Sequence, residues 1–250
     1  MADTSAEVII KAEHHNSKED LDEGREILKE GVDHFIFEAP EEQAEYPIRH
    51  RWFQILMWLF NYFIMNRFVY TDHSLLTNIA DRHAANKIPT RKADSTLIND
   101  APRGDIIIGF AIFATLLIGS ILIGLLYHRL WMLFAGGIAF LGGMTIPVIL
   151  LRVKESDRET NNRDEKIAGE ITAAAEKGGR VVAILGDAHC DPVIDKLPER
   201  IDPEFYPTSY NRRHPRQRLN DLKVVIIAVP LYVGSYFALI YVLRAIVGSI

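Results

Sequence analysis

Residues 106–151 read IIIGFAIFATLLIGSILIGLLY, then HRL, then WMLFAGGIAFLGGMTIPVILL, and this stretch decides the class of the fold. Ile106–Tyr127 carries no charge over about 22 residues, enough for an α-helix to cross a hydrocarbon core roughly 30 Å thick. After a turn at His128-Arg129, Trp131–Leu151 repeats the pattern, with Trp131 placed as an interfacial anchor. Val224–Leu243 is a third uncharged run of about 20 residues, and Pro230 within it is tolerable in a membrane helix. About three transmembrane helices are therefore expected, the first two forming a hairpin. Gly136, Gly137, Gly142 and Gly143 offer a small-residue face for close helix packing, and a surface through which oligomers could form.

Away from these runs the chain is charged. Its 48% hydrophobic content averages over a strong segregation between apolar and soluble-looking stretches. The net charge of −5 argues against nucleic-acid binding, which calls for basic patches. A single cysteine, Cys190, excludes an internal disulfide framework and fits a reducing compartment. Met1–Ser17 contains only the short apolar run Val8–Ile10, so secretion by an N-terminal signal is not expected.

Cation placement predicts the orientation. Arg91, Lys92 and Arg103 precede the first run, Arg152, Lys154 and Arg158 follow the second, and Arg213, Arg216, Arg218 and Lys223 precede the third. Only Arg129 and Arg244 fall on the other side. The positive-inside rule then makes this a multi-pass protein of the cell membrane, with its soluble parts cytoplasmic and its C-terminus outside. The Arg212, Arg213, Arg216 and Arg218 cluster suits anionic lipid headgroups. Trp52–Tyr70 is aromatic and apolar but interrupted by Gln54, Asn61, Asn66 and Arg67, so a core or membrane-surface helix is expected there.

The soluble parts read as α/β: a small, mostly parallel sheet with helices, added to the three membrane helices. Glu7–Ala12 and Val32–Phe37 are strands flanking a helix, Ser17–Lys29, that opens on a Ser-x-x-Asp cap. Glu159–Lys177 is an Ala-rich helix stopped by Gly178-Gly179, and Arg180–Leu185 is a third strand. Arg82–Arg103 looks too short and polar to add much structure, and Leu197–Arg218 reads as a loop. The expected organisation is 1–104 for one half of the soluble domain, 105–151 for the hairpin, 152–223 for the second half and 224–250 for the last span.

Three strand ends bring chemistry-bearing residues to the carboxyl edge of such a sheet, where open α/β folds place their sites. They are Glu13-His14-His15, Glu38, and Asp187-Ala188-His189. Imidazoles with carboxylates form either a divalent-metal site, for zinc, manganese or cobalt rather than calcium, or a general acid/base set. A lone histidine at a strand end is most simply a loop or capping residue, and Cys190 a small buried filler. His34 interrupts a strand as a surface-side or partly satisfied core residue, and His50, His73, His83, His128 and His214 show no metal-ligand spacing.

Two segments, Val8–Glu41 (VIIKAEHHNSKEDLDEGREILKEGVDHFIFEAPE) and Arg163–Leu197 (RDEKIAGEITAAAEKGGRVVAILGDAHCDPVIDKL), resemble the TraB/Tiki (pheromone-shutdown) family. That family opens on a strand, a Gly-x-x-His motif, a Ser, a helix and a second strand ending in Glu. Its later half has an Arg-bearing helix, a strand and another Gly-x-x-His. The resemblance covers roughly residues 7–45 and 157–198, with no counterpart in it for the membrane hairpin between the halves. It implies a membrane-anchored, metal-dependent hydrolase acting on peptides. Its site would use His14 and His189 as metal ligands, Glu38 as ligand or general base, and Arg163 to stabilise negative charge. Asp187 stands beside them as a further catalytic carboxylate. Gly186 and His189 match the second motif, whereas Lys11 stands where the first has glycine. That departure keeps a second expectation open: a non-enzymatic membrane protein that retains the fold to bind a ligand or to signal.

Overall fold

The strands Glu7–Glu13 (β1), His34–Pro40 (β2) and Arg180–Gly186 (β4) each carry three or more consecutive apolar residues, Val8–Ile10, Phe35–Phe37 and Val181–Leu185, the signature of strands covered on both faces. A computed structural model of the chain describes residues 6–40, 44–59, 73–91 and 95–248. In it these strands join Asn86–Arg91 (β3) and Glu204–Tyr206 (β5) in an all-parallel sheet of order β3-β2-β4-β1-β5. One face buries Val8, Ile10, Ala12, Val181, Ala183 and Leu185 under Ile167 and Ile171 of the helix Leu130–Glu176 (α6) and Val193 of Asp187–Ile194 (α7). The other buries Ile9, Phe35, Val182 and Ile184 under Leu21 and Leu28 of Lys18–Lys29 (α1) and Leu76 and Ile79 of Ser74–Arg82 (α3). The helix expected over Ser17–Lys29 is capped as its sequence predicts, with Ser17 Oγ accepting from the Asp20 N–H at 3.2 Å. Gly178 and Gly179, at φ +80° and +85°, take the left-handed backbone that stops α6.

Two expectations about this unit are corrected. Arg82–Arg103 supplies the edge strand β3, which tolerates Pro89 because an edge strand has one unpaired side. The 197–218 segment is likewise not all loop. It carries β5, which pairs only with β1, and the first residues of the helix Pro215–Gly248 (α8).

A second unit is helical. Arg103–Leu126 (α5), residues Leu130–Glu155 of α6, and α8 are each long and apolar enough to cross a membrane. Phe140, Met144, Val148, Tyr232, Tyr236 and Ile240 form its core, together with Phe53, Leu56 and Met57 of Arg51–Met57 (α2) and with Leu97 and Ile98 of Thr96–Asn99 (α4). Residues 44–59 and 95–104 thus group with the apolar helices, where the sequence assigned them to the soluble half. The beginning of the expected Trp52–Tyr70 helix is α2, a core helix; residues 60–72 lie outside the described residues. The glycine face is used within the chain: a Cβ at Gly136 would overlap the Tyr236 hydroxyl, and one at Gly143 would sit 3.2 Å from Leu116. The Tyr236 hydroxyl donates to the Ser120 carbonyl at 2.9 Å, and Arg244 donates to the Gly124 and Tyr127 carbonyls that α5 leaves unpaired at its end.

Candidate metal centre

The parallel sheet sets the site at its carboxyl edge, where β1 and β4 end opposite each other at Glu13 and Gly186. Glu13 is the last residue of β1 and only 4% exposed. Its carboxylate accepts from His15 Nδ1 at 2.9 Å and from His73 Nε2 at 3.0 Å. His15 lies in the turn before α1, and His73 caps the start of α3, so the three groups arrive from separate segments. The two imidazoles meet edge to face, their centroids 5.7 Å apart. One ligand atom from each of Glu13, His15 and His73 lies within 4.8 Å of the others, close enough for all three to hold one metal ion.

Glu38 of β2 stands directly behind His15. Its Oε2 lies 3.6 Å from His15 Nε2 and 2.9 Å from Arg163 Nη2, while its Oε1 accepts the Gly186 N–H at 3.0 Å. Gly186 makes that contact feasible, since a Cβ there would sit 3.2 Å from Glu38 Oε1 and 3.8 Å from His15 Nε2. The glycine of the second Gly-x-x-His motif therefore admits the carboxylate to a backbone donor.

The electrostatics follow from these contacts. Burial opposes ionisation of Glu13, but hydrogen bonds from His15 and His73 outweigh it and hold the carboxyl at about 2. Hydrogen bonds to Glu13 and then Glu38 raise His15 to about 10, against its own burial. Burial likewise opposes the charge on Glu38, and the hydrogen bond from His15 with the Arg163 guanidinium drives its carboxyl well below the usual range. Without a metal, then, the His15 imidazolium is the cation held between two carboxylates. A divalent ion on Glu13, His15 and His73 would take over that role and release the proton. Glu38 would remain on the far ring nitrogen, the place of a carboxylate that orients a metal-bound imidazole. One carboxylate and two imidazoles is also a donor set of open catalytic zinc sites and other first-row metal sites.

Of the residues expected at the site, only Glu38 and its partner Arg163 adjoin this group. His14 points the other way along the chain: its ring is 8% exposed, with Nδ1 4.0 Å from Asp20 Oδ2. Its Nε2 is buried without a hydrogen-bond partner among the described residues. His189 gives Nδ1 to the buried Asp164 carboxylate at 2.7 Å, and Asp187 pairs with Arg212 at 3.3 Å. Neither His14 nor His189 shares a ligand position with Glu13, because each ring is turned to an aspartate of its own. Cys190 is buried, as expected of a filler, and burial with the nearby Asp187 and Asp191 charges pushes its thiol up to about 12.

His73 is the member of this group that sequence reasoning passed over. It is distant from Glu13 and His15 in the chain, so spacing carries no signal for it. Lys11, in the place of the first motif's glycine, is also explained. Its side chain is fully buried, 2.7 Å from both Glu23 Oε2 and the Pro207 carbonyl and 3.5 Å from Asp20 Oδ1. It ties β1 to α1 and to the segment after β5. No family model, no curated protein and no solved structure matches the chain.

Proposed function

We propose that this chain is a membrane-anchored, metal-dependent hydrolase of the TraB/Tiki type, acting on peptides at the cytoplasmic surface of the cell membrane. The observation that carries the reading is the convergence of Glu13, His15 and His73 at the carboxyl edge of the parallel sheet. A zinc, manganese or cobalt ion there would supply Lewis-acid polarisation of a carbonyl and acidify a water molecule. The chain's own residues divide the remaining work. Glu38 is occupied by Arg163, Gly186 and His15, so it orients His15 rather than accepting a substrate proton. His189 is held through Nδ1 by Asp164, away from this group, and takes no part in it. Support for the membrane anchor comes from Ile107, Ile108, Ile118 and Leu122 of α5 and Ile138 and Ile149 of α6, large apolar side chains that face outward and suit lipid.

The same engagement of Glu38 favours a second reading, in which the centre binds metal and a ligand without turnover and the protein signals. The experiment that tests the metal centre is metal analysis of the full chain in detergent, with competition titration of Zn, Mn and Co. One tightly held equivalent is expected in the wild type and loss in Glu13→Ala and His73→Ala; full loading of both variants refutes the centre. Hydrolysis of a fluorogenic peptide mixture by the loaded protein then decides between the enzyme and the ligand-binding reading.

A further inference from the structure

Helices α1 and α3 both begin beside the metal group, after His15 and at His73, and both end at the opposite, amino edge of the sheet, just before β2 and β3. A cavity of about 240 Å³ opens between them, lined by Arg25 and Lys29 of α1, Leu75, Asn78, Ile79 and Arg82 of α3, and His83. We propose that it binds a phosphate-bearing small molecule, at a site separate from the metal centre.

The charge of the lining is the first reason. Three of the seven lining residues are Arg or Lys and none is acidic. The acidic side chains nearby are each in an ion pair, two of them with the lining cations Lys29 and Arg25 themselves, so Arg82 is the lining cation whose neighbouring carboxylate is drawn elsewhere. Asp81 pairs with Lys87 at 2.7 Å instead of with its neighbour Arg82, and Glu26 takes Lys29 at 2.6 Å. Asp22 takes Arg25 through Nη1 at 3.0 Å. Arg25 Nε is buried and has no hydrogen-bond partner among the described residues, so one donor of that guanidinium lacks an acceptor. Asn78 adds a neutral polar group.

Cations in the last turn of a helix are ordinary, because they complement the helix dipole. That accounts for Lys29 and Arg82 singly. Arg25, a turn earlier, is held by Asp22 through Nη1 alone, and neither effect accounts for its buried Nε or for cations of two helices lining one cavity. Guanidinium forks match tetrahedral oxyanions in geometry as well as charge. The volume limits the ligand, since pockets for drug-sized molecules run from roughly 300 to 1,000 Å³. Inorganic phosphate or the phosphomonoester of a small molecule fits, and Leu75 and Ile79 offer an apolar wall to an ester's carbon body.

The test uses the full chain in nonionic detergent, stripped of metal so that phosphate has no ion to bind. Inorganic phosphate and phenyl phosphate are titrated by calorimetry and by thermal unfolding, against sodium chloride at matched ionic strength. Saturable binding of either phosphate is expected, weakened about tenfold or more in Arg82→Gln and in Arg25→Gln, the scale of one charge-assisted hydrogen bond. Arg82 is exposed, so its variant keeps the fold. Binding should survive in Glu13→Ala, which separates failure of the metal centre from failure of this site. Tighter binding of phenyl phosphate assigns a phosphomonoester; equal binding assigns the free anion. A response that sodium chloride reproduces, or titration of Arg82→Gln like the wild type, overturns the proposal.

Discussion

Replacing Glu13 by Gln removes the carboxylate on which both imidazoles of the metal group depend, at nearly constant volume. In the metal-free protein Glu13 is 4% exposed and accepts from His15 at 2.9 Å and His73 at 3.0 Å. Removing one partner of a buried ion pair costs about 3–5 kcal/mol. The two histidine side chains are 41% and 34% exposed, however, so solvent screens part of the interaction and the low end applies. A loss of about 3 kcal/mol corresponds to a fall of roughly 10 °C in the melting temperature of a domain of this size. The pH dependence carries a sign. His15 is raised in the folded state to about 10, so its contribution is complete below its ordinary value of 6.5 and disappears as the pH rises through about 10. Glu13 is lowered to about 2, so its contribution is present above its ordinary 4.5 and is lost as the pH falls toward 2. The Glu13→Gln penalty, read by thermal unfolding of metal-free protein in detergent, should be largest between about pH 4.5 and 6.5. It should shrink by pH 10.5. A variant as stable as the wild type at pH 6, or a penalty unchanged from pH 6 to 10.5, would refute the ionic picture of the group.

Lys11→Met should lower the stability of the α/β unit by about 3 kcal/mol, seen as a lower denaturant midpoint, because it leaves the buried Asp20 carboxylate its two backbone N–H donors but no lysine cation beside it. An unchanged midpoint would mean that Lys11 is not the latch its contacts describe. Gly136→Ala should cost about 1–3 kcal/mol in detergent, because the added Cβ overlaps the Tyr236 hydroxyl and comes within 2.7 Å of the ring. Tyr236→Phe in the same chain should recover part of that loss, and no recovery would place the strain elsewhere. The proposed orientation predicts the labelling of single cysteines in a Cys190→Ala background. Arg129→Cys should react with an impermeant maleimide on intact cells and Glu199→Cys only after lysis; the reverse pattern would invert the topology.

Much of the fold was legible because its signals are local. The central strands β1, β2 and β4 each contain a continuous apolar run, α1 carries its own cap at Ser17, and α6 ends on a glycine pair. The parts that were not legible owe their structure to neighbours. β3, with Lys87, Pro89 and Arg91, has no strand pattern of its own and exists by pairing with β2. β5 is only three residues long and pairs on one side. The fusion of the second span with the Ala-rich helix into the single 47-residue α6 was missed because hydropathy collapses after Leu151. Yet between Pro147 and Gly178 the chain contains no proline and only one glycine, Gly169, so nothing in the covalent chemistry stops the helix where its apolar part stops.

The site shows the same division between local signal and tertiary packing. β1 ends at Glu13, and His15 lies in the turn that follows, so the alternation of a strand does not extend over Glu13, His14 and His15. In the structure that turn lets Glu13 and His15 hydrogen-bond to each other, while His14 lies toward Asp20. Matching a histidine motif by order alone selects His14 and does not reach this pair. Nor does any spacing reach His73, because its approach depends on where α3 packs against α1. The order of motifs along a chain can thus name the edge of a sheet at which chemistry gathers. Which side chains meet there is decided by the turn that follows the strand where the residues are contiguous, and by tertiary packing where they are not.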